Sequence, residues 1–88
     1  MDERLYRLLA EGVGRYLESV DRLAGARPEG ALGVETRRLV AAWRALLELH
    51  RQVDGRCVAG CPSRRLCAAW RVAGAYFVRR VSSRRRAR

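Results

Sequence analysis

At 88 residues, 49% of them hydrophobic, the chain makes one small domain, too apolar for disorder and too short to form a large core without a staple. Its net charge is +10 and all 19 basic residues are arginine; lysine, isoleucine and asparagine are absent, which a GC-rich genome explains without any role in phosphate recognition. No apolar run approaches the roughly 18–20 residues of a bilayer span, the acidic start Met1-Asp2-Glu3 is unlike a secretory leader, and three cysteines cannot all pair within one chain. A soluble protein of the reducing cytoplasm is expected, with no membrane partner.

The first predicted helix covers about 2–24, with Leu5, Leu8, Leu9, Val13, Tyr16, Val20 and Leu23 as its apolar stripe. Glu3/Arg7, Glu11/Arg15 and Glu18/Arg22 are spaced as i,i+4 pairs on the other side. Gly12 and Gly14 weaken this helix or let another helix approach closely. Residues 25–33, GARPEGALG, read as a linker.

A second helix is predicted over about 34–52, with Leu39, Val40, Trp43, Leu46, Leu47 and His50 on one face. Residues 53–62 form a turn carrying Gly55, Gly60 and Pro62. Ser63 can cap a third helix, predicted over about 63–82, whose stripe is Leu66, Trp70, Ala73, Phe77 and Val81. The expected fold is therefore all-α: a three-helix bundle within one domain, residues 1–82, followed by a disordered basic tail at 83–88.

The chemistry is concentrated at the second turn. His50, Cys57, Cys61 and Cys67, the only histidine and all the cysteine, are spaced H-x6-C-x3-C-x5-C. Three thiols and an imidazole are the donor set of a closed tetrahedral Zn²⁺ site. His50 would end one helix, Cys57 and Cys61 would lie in the turn, and Cys67 would fall in the first turn of the next helix. A metal knuckle at the helix 2–helix 3 turn follows, with an iron–sulfur cluster as the alternative occupant. Nearby arginines favour the thiolates that bind metal.

The run C-P-S-R-R-L-C-A-A-W, Cys61 to Trp70, resembles the last cysteine segment of the WhiB-like iron–sulfur regulators, whose pattern there is C-P-x-R-x-x-C before an aromatic residue. That resemblance implies a [4Fe–4S] cluster, a sigma-factor partner and a DNA-binding basic tail. The chain departs from the family in its C-x3-C pair, in offering His50 as fourth ligand, and in lacking the glycine–tryptophan turn. A wider resemblance is to small actinobacterial proteins with an H-R…D-G-R-C…C…C-x-x-W-R-x-A core. Here that core reads His50-Arg51, Asp54-Gly55-Arg56-Cys57, Cys61, then Cys67 to Ala73. It implies the same ligand set and carries no established activity.

Charge is divided along the chain. Residues 1–35 hold seven acids and five arginines, net −2, whereas residues 36–88 hold two acids and fourteen arginines, net +12. Arg64, Arg71 and Arg79 on the third helix, with Arg84, Arg85, Arg86 and Arg88 in the tail, are candidate phosphate contacts for nucleic acid or for an acidic protein partner. Trp43, Trp70 and Phe77 have core spacing, leaving Tyr76 as the exposed aromatic. A helix-mediated protein-interaction module without nucleic-acid binding is the competing expectation, including a homodimer through the heptad-like helix 1, which carries the small residues Ala10, Gly12 and Gly14. Catalysis is not expected: a Cys57–His50 pair has only Asp54 nearby as an orienting group, and phosphate loops and paired catalytic carboxylates are absent from the sequence.

Overall fold

In the computed structural model, residues 3–26, 30–61 and 66–79 are described. Helix α1 runs from Glu3 to Gly25 and α2 from Ala31 to Leu49. Both match the sequence expectation to within three residues, because both are rich in Ala, Leu, Arg and Glu and contain no proline. The acidic Glu3 opens α1 and Arg22 lies in its last turn, as the helix dipole favours. The linker is shorter than predicted, since α2 begins at Ala31 with Gly30 as its N-cap.

After α2 the chain is not purely helical. Strands β1 (Gln52–Val53) and β2 (Arg56–Cys57) pair antiparallel, Gln52 opposite Cys57 and Val53 opposite Arg56. The fold is therefore a helical domain with a minimal β-hairpin rather than an all-α bundle. Asp54 and Gly55 connect the strands with φ of 55° and 76°. Positive φ at both central residues is what a two-residue hairpin turn of the right twist requires, and Asp-Gly is among the pairs that adopt it most readily.

The third helix begins later than expected. Helix α3 spans Ala68–Ala73 and widens into a π-helical segment, Gly74–Arg79. The proposed Ser63 cap, Val81 and the tail lie outside the described residues. The π-helical segment packs mainly along α1, while α3 itself touches α2. The close approach depends on Gly74, where a Cβ would lie 3.0 Å from Leu9 Cδ1, and on Gly12, where one would lie 3.3 Å from Val78 Cγ2. Gly12, offered by the sequence to a second copy, thus receives a side chain of its own chain.

The core comprises Val13 and Leu17 of α1, Val40 and Leu47 of α2, Cys57 and Cys67, and Trp70 and Ala73 of α3. Phe77 joins the three helices: its ring stacks on Tyr16 at 4.9 Å and meets Trp43 edge-on at 5.0 Å. Tyr6 meets Trp70 edge-on at 5.2 Å. Most predicted stripe residues pack as expected: Leu9, Val13, Tyr16 and Val20 of α1, Val40, Trp43 and Leu47 of α2, and Leu66, Trp70, Ala73 and Phe77 lie in or against the core. Leu17 is buried and Tyr6 is packed on the core, whereas Leu5, Leu8, Leu23 and Leu39 are more than half exposed. Charges bridge helices as well: Arg37 pairs with Asp21 at 3.1 Å and Arg44 with Glu18 at 3.4 Å. The Arg37 hydrogen bond lowers the Asp21 pKa.

Candidate metal centre

The four residues separated by up to 17 positions in the chain converge on one point. His50 is the C-cap of α2, with φ −110° and ψ 23°, so the chain leaves the helix there and the imidazole turns toward the hairpin. Cys57 ends β2, Cys61 follows the next turn, and Cys67 is the N-cap of α3. Cys67 is thus the residue before the helix rather than a member of its first turn. The turn between Cys57 and Cys61 is closed by the Gly60 N–H donating to the Cys57 carbonyl at 2.9 Å, and Gly60 takes a φ of 86° that a side chain would strain. That turn is what brings two thiols four residues apart to one side.

The imidazole Nδ1 lies 3.4 Å from Cys57 Sγ, 3.4 Å from Cys61 Sγ and 3.7 Å from Cys67 Sγ. All four donor atoms lie within 4.8 Å of one another. Cys57 and Cys67 are buried, and His50 and Cys61 are partly so. All three cysteines are free thiols. Such a group could hold a metal ion, and Nδ1 rather than Nε2 is the nitrogen facing the sulfurs.

The thiols are not equivalent. Burial opposes ionisation of Cys57, but backbone N–H groups of Ala59 and Cys61, together with the His50 and Cys61 side chains, outweigh it and lower its pKa to about 6. Cys61 is pushed up to about 11, first by hydrogen bonding to Cys57, then by burial and by the negative charge of its neighbours. Amide donors arranged around one sulfur are a preformed cradle for thiolate.

Beyond the four donors, two side chains fix the histidine backbone. Trp70 Nε1 donates to the His50 carbonyl at 3.0 Å, and Gln52 Nε2 donates to the same oxygen at 3.4 Å. Gln52 is the buried polar residue of the core, 7% exposed. Neither role was read from the sequence. The Asp54-Gly55 pair would have revealed the hairpin and hence Gln52 opposite Cys57; no local signal marks the Trp70 bond, which links residues 20 apart.

The basic residues are less organised. Arg71 is exposed and donates to the Leu66 carbonyl at 3.1 Å, and Arg79 is exposed at the end of the π-helical segment. Arg64, Arg84, Arg85, Arg86 and Arg88 lie outside the described residues. Tyr76 is 61% exposed, while Trp70, Trp43 and Phe77 pack in or against the core, as their spacing predicted. Among the described residues, no helix is long and apolar enough to cross a membrane. No protein-family model matches the chain, and no curated protein or solved structure matches it either.

Proposed function

We propose that the cluster binds one structural Zn²⁺ and that the protein is a small cytoplasmic adaptor or regulator acting through its basic C-terminal half. The observation that carries the metal assignment is the set of nitrogen–sulfur distances. Zinc–sulfur bonds of about 2.3 Å and a zinc–nitrogen bond of about 2.0–2.1 Å at tetrahedral angles separate N and S by about 3.5 Å. The three separations here are 3.4, 3.4 and 3.7 Å. An iron–sulfur cubane holds its ligands around the outside of a cluster, farther apart than the 4.8 Å that contains these four donors. A single ion fits the geometry better.

Four protein donors leave no open coordination position, which suits a structural rather than a catalytic zinc. The ion would tie the end of α2, the hairpin and the start of α3 together in a chain whose core is small, so its binding energy would be folding energy. The sequence beyond α2 is basic. Residues 51–88 contain eleven arginines and one acid, net +10, while residues 1–50 balance eight arginines with eight acids. Nucleic acid or an acidic protein surface is the complementary partner.

Metal analysis of protein purified without added metal tests the assignment. One zinc per chain is expected; a brown protein absorbing at about 400 nm would replace zinc with an iron–sulfur cluster. Titration with duplex DNA at two salt concentrations tests the partner. Phosphate contacts predict affinity that falls steeply with salt and is largely lost on deleting residues 83–88. Salt-insensitive or absent binding would favour an interaction module that reads protein surfaces instead.

A further inference from the structure

Helix α2 has a second apolar face that the domain leaves uncovered. Its core face carries Val40, Trp43 and Leu47. Beside it run Leu32, Leu39 and Leu46, exposed by 80%, 64% and 39%, and Leu49, exposed by 64%. Ala42 is exposed on the same side. Leu32, Leu39 and Leu46 are seven residues apart, as are Glu35, Ala42 and Leu49, and the second set is offset by three from the first. These are the a and d positions of a heptad, a spacing that packs another helix rather than solvent.

We propose that this face pairs with α2 of a second copy in an antiparallel, two-fold symmetric homodimer. The argument for a second copy is register. In an antiparallel helix pair each a residue faces a d residue of its partner. Here one register pairs all six positions: Leu32 against Leu49 of the second copy, Glu35 against Leu46, Leu39 against Ala42, and the same three contacts repeated by the symmetry, so that four of the six layers are apolar. Small Ala42 opposite large Leu39 lets the helices approach at the centre, beside the axis. At the ends, Leu49 of each copy reaches Leu32 of the other, which borders an apolar hollow of about 550 Å³ lined also by Val20, Leu23 and Ala24. The surface is therefore self-complementary, as an isologous contact requires.

Charge favours the same arrangement. The first fifty residues are net neutral and the whole +10 lies after residue 50, so pairing through α2 joins the uncharged halves. The seam contains one ionisable residue, Glu35, and it stays paired with Arg38 at 3.6 Å on the rim. Antiparallel pairing sends the two basic halves to opposite ends of the helix pair, with the two His50 caps separated by about 28 Å along it. A single helix face is a small interface, so the dimer is weak and concentration-dependent.

Sedimentation equilibrium of the zinc-loaded full chain from 10 µM to 1 mM, ranges chosen on the order of weak-dimer affinities, tests the proposal. The mass should rise from the 10.0 kDa of one chain toward twice that value. Leu39→Glu and Ala42→Arg, each at an exposed position, should each weaken association at least about tenfold with circular dichroism and zinc content unchanged. The double variant Leu39→Glu/Ala42→Arg should recover at least about tenfold, because antiparallel pairing sets each new acid against the other copy's new arginine. Parallel pairing would instead set like charges together. A monomer up to 1 mM, on the order of the weakest affinities considered, would overturn the proposal. So would single variants that still dimerise, or a double variant no better than the worse single one.

Discussion

Replacing Trp70 with phenylalanine isolates the bond that connects the third helix to the candidate metal centre. The indole N–H donates to the His50 carbonyl at 3.0 Å, and Gln52 donates to the same oxygen at 3.4 Å. Because the acceptor keeps one donor in Trp70→Phe, the loss is that of a net hydrogen bond, about 0.5–1.5 kcal/mol, rather than of a buried carbonyl left unpaired. The smaller ring also leaves unfilled space in a site that is 6% exposed, adding about 1 kcal/mol. A phenyl ring can still meet Tyr6 edge-on, so that contact is largely kept. The total is about 1.5–2.5 kcal/mol, measured as the change in urea unfolding free energy of the metal-loaded protein. Gln52→Leu should cost about 1 kcal/mol by the same reasoning. Combining the two removes both donors, so the double variant should lose about 1–2 kcal/mol more than the sum. Zinc affinity, measured by competition with a chromophoric chelator, should fall about tenfold for each 1.4 kcal/mol that reaches the site. Additive double-variant energies, or a Trp70→Phe change below about 0.3 kcal/mol, would refute the shared-acceptor argument.

Chelation should lower the melting temperature of the wild-type chain, and Cys57→Ser should abolish the difference between chelated and zinc-supplied samples. At free zinc a thousandfold above Kd the difference corresponds to about 4 kcal/mol. Zinc binding should release protons. At neutral pH Cys57, near 6, is already mostly thiolate, while Cys61, near 11, must give up its proton to bind. Affinity should therefore rise with pH between those values, and fall more steeply below about 6, where Cys57 too is protonated. Calorimetry in buffers of different ionisation enthalpy should report at least one proton per zinc at neutral pH; none would contradict the assignment of Cys61. Gly74→Val should destabilise by about 1–3 kcal/mol in urea titration, because its side chain would enter space held by Leu9, whereas Gly74→Ala, met only by the flexible end of Leu9 at 3.0 Å, should cost less.

The candidate donor cluster was legible because it is exclusive. With one histidine and three cysteines confined to residues 50–67, no other grouping of soft donors was available. The extents of α1 and α2 were legible for a related reason, since Pro28 and the glycines around it interrupt two long runs of good helix formers. The late start of α3 was less accessible. Composition across residues 63–67 suits a helix, but Cys67 takes an extended ψ of 159° as the N-cap, which brings its sulfur into the cluster. A tertiary requirement overrides local propensity there.

The exposed leucines of the predicted stripes have a more instructive cause. Periodicity finds an apolar face but cannot say where its centre lies when apolar residues cover half the helix circumference. On α2 the leucines at 32, 39, 46 and 49 and the core residues Val40, Trp43 and Leu47 occupy adjoining rows, and the stripe predicted from periodicity takes in parts of both. The structure separates them: Val40 and Leu47 are 3% and 4% exposed, while Leu39 beside them is 64% exposed. Among the described residues the second row is left uncovered, because the π-helical segment Gly74–Arg79 lies along α1. On this reasoning the surplus is not a misread core but a second interface written in the same helical code. Its cost in solubility is tolerable because the excess charge lies entirely in the other half of the chain.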